Sequence, residues 1–472
     1  MSRTPLLRTT LVGGTPVAWR VADPAGALAA AERTPDGLSF LQIDHVVAAK
    51  AKRAQGEPHT GTANSVTVVD GPLDREAMAA ALTRFSRRHD ELRAIYDVDE
   101  SGPFRRVAPA ESIEYVTEAD ETPVEAGDAI GYIVDRISSE AVFDAMPGLA
   151  YGAIDGGDRF TFYTGSDHSH TDGFSQFSGH LEIAQLYRAI RDGQIPPTEP
   201  AGRYTDYIAE EKAIAASTDP ADPRIAAWRE ILAVHGGRVP RFPFDLGLAD
   251  DELAPAVPVT QQLLSASELD ACDVRRGDTS FAGVLYAALA AAQYELLSRE
   301  HYFTATVLST RTPEHAFTQG WLCNFVPIAF DVNEGIAFSD LTHIAGRAVV
   351  RARDLATLPV HVALGLLAAD GSYIPDPGSP QMVSYIDFRR VPGADDPVLQ
   401  NVTAFQAIGR TRNANMWFTR YHDELTVTSH IPDNPTASDA FDRYVDAIRR
   451  RLATFASDTD SPVSASSQVV SP

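Results

Sequence analysis

Residues 159–175, RFTFYTGSDHSHTDGFS, decide how the rest of the chain is read. The first eight alternate in hydrophobicity as a half-buried strand does. From Phe174 onward the apolar positions fall at helical spacing: Phe174, Phe177, Leu181, Ala184, Tyr187 and Ile190. Between strand and helix sit two histidines and an aspartate, closed by a glycine. Read as His168-x-x-x-Asp172-Gly173, the run is a general base with a carboxylate near it. Histidine is the natural group to take a proton from a hydroxyl or amine near neutral pH. Asp172 could orient that imidazole, or turn away and pair with an arginine that holds the loop. Gly173 would permit a backbone angle or a close approach that a side chain forbids. Read as His168-x-His170-x-Asp172, the run supplies the opening ligands of a zinc site. The plainest reading makes Asp172 the N-cap of the helix, His168 a satisfied core histidine and His170 a surface one.

Size and composition narrow the field. The chain has 472 residues, which predicts more than one core. Hydrophobic residues make up 44% and charged residues 22%, the balance of a globular protein. The net charge of −24, from 40 basic and 64 acidic residues, argues against nucleic acid and against an anionic membrane surface as partners. The basic groups Lys50/Lys52/Arg53, Arg389/Arg390 and Arg410/Arg412 read as solvated faces. No apolar run has transmembrane length, and the N-terminus lacks the apolar core of a secretory signal, so a cytoplasmic enzyme is expected. Cys272 and Cys323 are too few for a disulfide framework or a cysteine zinc cluster.

Strand and helix patterns alternate along the chain. NSVTVVDG (64–71) reads as a strand, and DREAMAAALTRFSRRH (74–89) as an amphipathic helix capped by Asp74. LRAIYDVDESGPFRRVA (92–108) reads as a hairpin turning at residues 100–102. Residues 191–224, rich in Pro, Gly and Asp, supply the best linker. Beyond it come a strong helix (278–297) and strands at 301–310, 381–388 and 424–431. A last helix (438–455) has Ser438 as its expected cap, and the tail from 457 is expected to be disordered. Two α/β lobes with one junction are predicted, and ligands favour such junctions.

DHSHTDG, lying after a strand and before a helix in the first lobe, resembles the His-His-x-x-x-Asp-Gly signature of the condensation-domain superfamily. Other segments are similar to that family in the same order. They are LSFLQIDHV (38–46) with Ser39 and Gln42, RRHDELRAIYD (87–97), YTDYIAEEK (204–212), LSTRTPEHAFTQGWLCNFVPIAFDV (308–332) and VSYIDFRRVPG (383–393). RFPFDLG (241–247), TQGWLCNFVPI (318–328) and IPDNP (431–435) look most like the polyketide-associated (Pap) acyltransferases of trehalose glycolipid type. Two departures stand out. Asp167 occupies the first histidine position, a supporting place where Pap-like members share the change. The late motif reads Asp387-Phe388-Arg389-Arg390 rather than Asp-Phe-Gly-Trp-Gly.

The resemblance implies a mixed α/β fold of two chloramphenicol-acetyltransferase-like lobes in a V, with a substrate tunnel at their junction. The N-terminal lobe would span 1–200, the linker 201–224, the C-terminal lobe 225–456 and the tail 457–472. It implies a standalone acyltransferase moving an acyl group from a coenzyme A or carrier-protein thioester to a hydroxyl of a sugar or polyol. His168 would be the general base, and Asp172 a structural residue paired with Arg311 of the second lobe. Gly173 and Asp167 would support the site, and Asn324 would lie near the oxyanion or the tunnel wall. Arg93 would anchor the first lobe, while Trp321 and Trp417 read as core. No cofactor or metal is expected, and the expected partners are the thioester donor, an acyl carrier protein or polyketide synthase, and the hydroxyl acceptor. A tunnel within one chain predicts a monomer. The alternatives are an amide-forming condensation enzyme, a non-catalytic acyl-binding relative, and a zinc hydrolase. The last is weakened because metallo-β-lactamase-like enzymes continue Asp-His where this chain has Gly173.

Overall fold

The computed structural model describes residues 9–118, 122–194, 200–250, 252–376, 380–457 and 461–465. A six-stranded antiparallel sheet forms the first lobe, in the order Thr403–Gln406, Thr62–Asp70, Arg159–Asp167, Leu149–Asp155, Thr15–Val21 and Tyr115–Thr117. Helices Arg75–Arg88 and Gly173–Arg191 cover one face, where Met78, Leu82, Phe85, Ile183 and Leu186 pack on Tyr151, Phe160 and Phe162. Helix Ala129–Glu140 covers the other through Ile133 and Ile137. The alternation of the 159–166 run is what lets one strand serve both cores. Asp74 caps its helix as expected, accepting from the Ala77 N–H at 2.9 Å.

The second lobe is built on the apolar helix Phe281–Leu297, nearly all of whose residues are buried. Around it lie a five-stranded sheet, the two-stranded pair His301–Ser309 with Cys323–Asp331, and helix Pro435–Ala456. That helix begins three residues before the expected cap. Asn434 accepts from the Ala437 N–H at 2.8 Å and Pro435 takes the first turn, so Asn-Pro and not Ser438 starts it. Both cysteines are free and buried.

Three features cross the expected lobe boundaries. Strand Thr403–Gln406, from the C-terminal half, pairs antiparallel with Thr62–Asp70 and so belongs to the first sheet. Phe388, Val391, Ala394, Leu399 and Val402 form a core with Phe177 and Leu181 of the helix after the motif. The expected linker contains helix Tyr204–Ser217, which is built into the junction. The Tyr204 hydroxyl lies 3.1 Å from both Ser39 Oγ and the Trp321 carbonyl oxygen, and Glu211 accepts from the Phe40 N–H at 2.9 Å. The lobes therefore share a seam made of chain from both halves. Part of the expected disordered tail, residues 458–460 and 466–472, lies outside the described residues. Residues 461–465 depart from that expectation. Val463 is fully buried, and its backbone exchanges hydrogen bonds with Ile336 and Gly335. Burial of Val463, these backbone bonds and the Arg451 guanidinium on the Pro462 carbonyl tie the segment to the second lobe.

Candidate active site

The motif takes its shape from the ladder beneath it. Antiparallel pairing of Thr62–Asp70 with Arg159–Asp167 places Thr62 opposite Asp167, so the chain before Thr62 lies beside the motif. His168 then donates its backbone N–H to the Gly61 carbonyl at 2.8 Å. One short turn, His168–His170, separates the strand from the helix. Asp172 is extended and caps that helix, accepting from the Ser175 N–H at 2.8 Å.

Asp172 does more than cap. Its two oxygens accept from the Arg311 guanidinium at 2.7 and 3.0 Å, and one also accepts from the Leu322 N–H at 2.9 Å. Arg311 in turn donates to Ser175 Oγ at 2.7 Å, and its cation lies 4.6 Å from the Phe174 ring centre. Both side chains are under 10% exposed, at 8% and 7%. The carboxylate therefore faces the second lobe and does not orient His168. Gly173 has an ordinary backbone angle, and a Cβ built there would meet only Ile386 Cδ1 at 3.5 Å. The expected steric reason for a glycine is absent from the protein itself.

His168 is partly exposed, with its ring centre 4.3 Å from that of Trp321 and 6.3 Å from that of His45. Trp321, expected to be core, is thus a wall of the site. Nδ1 is buried and, among the described residues, has no acceptor in hydrogen-bond geometry, which leaves Nε2 as the open nitrogen. Burial, and then the adjacent His45 imidazole, push the His168 pKa down to about 4 from the ordinary 6.5. Its own carbonyl, Asp167 and Asp172 pull the other way and lose. The ring is consequently neutral at physiological pH, the form that can accept a proton.

Asp167 is fully buried and ionised. His45 and His59 Nε2 each lie 2.9 Å from its oxygens, and Ser169 donates to it from N at 2.9 Å and from Oγ at 2.5 Å. These partners outweigh the cost of burial and hold its pKa well below the usual carboxylate range. His170 points elsewhere, with Nδ1 3.3 Å from Glu91 and its ring 4.9 Å from that of Tyr96. His168, His170 and Asp172 therefore diverge, and the run does not make a chelate. Among the described residues no three His, Cys, Asp or Glu side chains are grouped to hold a metal ion.

A buried polar network braces the site from below. Gln42 completes a capping box with Ser39 and donates to Glu91 at 2.9 Å and to the Ser169 carbonyl at 2.8 Å. Arg105, fully buried, donates to Glu91 at 2.8 and 3.1 Å and to Thr205 at 2.8 Å. Arg105 is thus the central cation of the first lobe, while the Arg93 guanidinium donates to the Ala108 carbonyl. Sequence reading singled out Ser39 and Gln42 but missed Arg105, His45, His59 and Trp321. None of these had a local signal, because each acquires its role from pairing or packing between distant segments.

Asn324 does not fill the place expected of it. Its amide nitrogen donates to the carbonyls of Ala356 and Leu358 at 3.0 and 2.6 Å, and its oxygen accepts from the Val360 N–H at 3.0 Å. Both donors are spent on that turn, so none remains for an oxyanion. The late motif closes locally: Arg389 pairs with Asp387 at 2.8 Å, and Phe388 packs edge-on against Phe177 at 4.9 Å. It is a joint between lobes. A cavity of about 470 Å³, lined by Arg238, Phe242, Gln293, Phe303 and Tyr444, lies at the opposite end of strand His301–Ser309 from Arg311 and does not include His168.

Two lobes joined across a strand-turn-helix, with a neutral histidine at the turn and its motif aspartate bonded to the far lobe, define an acyltransferase of the condensation type. The chain belongs to the condensation-domain family, whose profile matches residues 54–364. It is 27% identical over 430 residues to 2′-acyl-2-O-sulfo-trehalose (hydroxy)phthioceranyltransferase PapA1 of Mycobacterium bovis, covering 87% of this chain and 80% of that one. It is 28% identical over 395 residues to trehalose-2-sulfate acyltransferase PapA2 of Mycobacterium tuberculosis, covering 80% and 81%. In fold it superimposes on the solved PapA2 acyl transferase with a TM-score of 0.85 at 24% identity, over 96% of this chain and 98% of that one. No single helix among the described residues is long and apolar enough to cross a membrane.

Proposed function

We propose that this enzyme transfers an acyl group from a thioester, of coenzyme A or of a carrier protein, to a hydroxyl of a trehalose-type sugar or related polyol. His168 Nε2 takes the hydroxyl proton as that oxygen attacks the thioester carbonyl. The tetrahedral intermediate collapses, the carbon–sulfur bond breaks, and the imidazolium returns its proton to the departing sulfur. The ester and the free thiol are the products, and no acyl-enzyme is required because both substrates are held together. The observation that carries this reading is the state of His168: neutral, open at Nε2, and set at the junction with its motif carboxylate turned away to Arg311. Asp172 is accordingly a structural residue. The resemblance to trehalose acyltransferases supports the sugar acceptor, and the chain's own chemistry supports the base. We place the reaction in the cytoplasm and in a single chain.

Thiol release from a long-chain acyl-coenzyme A, measured with and without trehalose, tests it. Release that depends on trehalose and is lost in His168→Ala is the expected result. Release that is indifferent to His168 overturns the mechanism. Transfer to amines in preference to hydroxyls overturns the acceptor class.

A further inference from the structure

The His168 loop is buttressed by a side-chain assembly with no part in the transfer chemistry just described. Asp167 lies on the strand below the motif and is closed over by His45 of helix Phe40–Ala54 and by His59 of the following loop. An ionised carboxylate offers about four acceptor directions. Here the Ser169 N–H and hydroxyl both donate to Oδ1, while His45 Nε2 lies 2.9 Å from Oδ1 and His59 Nε2 lies 2.9 Å from Oδ2 in ion-pair contact. The His45 ring stands between this carboxylate and the base, with its centre 6.3 Å from His59, 6.3 Å from His168 and 5.9 Å from Trp321. Gly61 lies in the angle between the two imidazoles. A Cβ on it would come within 2.6 Å of His45 Cε1 and 3.3 Å of His59 Cε1. The carbonyl of that same Gly61 accepts the backbone N–H of His168. The two rings and the base are therefore linked twice, through Asp167 and through Gly61.

We propose that His45 and His59, clamped on Asp167, are positioning residues that hold the His168 loop in place and set a second titratable ring beside the base. The proposal rests on His168 being the general base. Among the described residues, the leading charged and titratable neighbours are few. Facing His168 are His45, Asp167 and Asp172, with neutral Trp321 from the second lobe and Arg311 already bonded to Asp172. Facing Asp167 are His45, His59 and His170, with Arg53 further off. Among these, the His45 imidazole is the neighbour whose electrostatic effect opposes protonation of His168. Removing it moves the His168 titration upward, so a larger fraction of the base is protonated at mildly acidic pH and the acid limb of the rate profile rises with it.

The test is the NMR titration of His168 in the full chain without substrate, read beside the pH profile of kcat/KM. In His45→Gln, which keeps a polar amide beside Asp167 and removes the titratable ring, the His168 titration should rise by about one to two pH units, as expected when an ionisable neighbour some 6 Å away at a partly buried site is removed. His59→Gln should give a smaller rise and serves alone if the first variant does not fold. Titrations that superimpose on wild type in the folded variants, with only thermal stability lowered, overturn the proposal. The substrate-free titration is independent of acyl transfer, so it stands or falls separately from the assignment of the reaction.

Discussion

Replacing Asp172 by alanine should unsettle the protein before it affects the chemistry. The carboxylate accepts four hydrogen bonds: two from Arg311 at 2.7 and 3.0 Å, one from the Ser175 N–H at 2.8 Å and one from the Leu322 N–H at 2.9 Å. Loss of the N-cap alone costs about 1 kcal/mol. Stranding a guanidinium of 7% exposure costs more, about 3–5 kcal/mol for a broken buried pair, and this sum already contains much of the cap. Asp172→Ala is therefore expected to lose about 3–5 kcal/mol in urea unfolding followed by circular dichroism and tryptophan fluorescence. Arg311→Ala should lose a similar amount. The double variant should lose less than the two together, by about 2 kcal/mol or more, because neither charge is then left alone. The transition should also lose its cooperativity between lobes, since Arg311 and Leu322 belong to the second and Asp172 to the first. An Asp172→Ala protein within about 1 kcal/mol of wild type, or single losses that simply add, would refute the view that this pair is a structural tie.

Further outcomes follow from individual side chains. His168→Ala should fold normally and lose about 10²–10⁴-fold in acyl transfer, measured as thiol release; a loss under tenfold would remove it as the base. His168 and His180 are neutral in the fold, depressed by burial to about 4 and about 3 from 6.5. The unfolded chain therefore binds more protons than the native one below pH 6.5, and stability should fall steadily as pH drops from about 6.5 toward 4. Melting curves that do not change across that window would contradict their burial as neutral rings. Asn324→Ala, which leaves three buried partners unpaired, should lower stability by about 2–4 kcal/mol with kcat nearly unchanged in the folded fraction. A large kcat loss at wild-type stability would restore Asn324 to the reacting centre. Gly173→Ala should melt at or slightly above the wild-type temperature, since its Cβ meets one ordinary contact in a helix turn. A lower melting temperature would mean that the loop needs the glycine.

Local pattern was enough to place the strand into the motif, the helix out of it, and the cap on Asp74, because alternation, helical spacing and capping are properties of a few neighbouring residues. It was enough, with the family resemblance, to pair Asp172 with Arg311, since the two motif segments carry that expectation in their spelling. Asn324 was misread because a buried amide near a proline-bearing strand looks the same in sequence whether it faces a substrate or a turn. Only the path of residues 356–360 decides which. Trp321 was misread as core for the same reason: an indole suits a hydrophobic interior and a site wall equally, and the fold puts it against His168. The lobe boundaries drawn along the chain missed strand Thr403–Gln406, whose partner lies more than 300 residues earlier by the numbering of Thr62–Asp70. Pairing at that separation leaves no local trace.

What the sequence determined by itself was the chemistry on offer: a histidine at a strand-to-helix turn, an aspartate four residues later, and a −24 chain unsuited to nucleic acid. What tertiary structure decided was the state of those groups. Asp172 turns from the base because a guanidinium from the other lobe arrives within 2.7 Å, and Asp167 stays ionised in full burial because two distant histidines converge on it at 2.9 Å. Protonation depends on what lies within a few ångströms in space, and neighbours in space are fixed only when both lobes have closed around the seam.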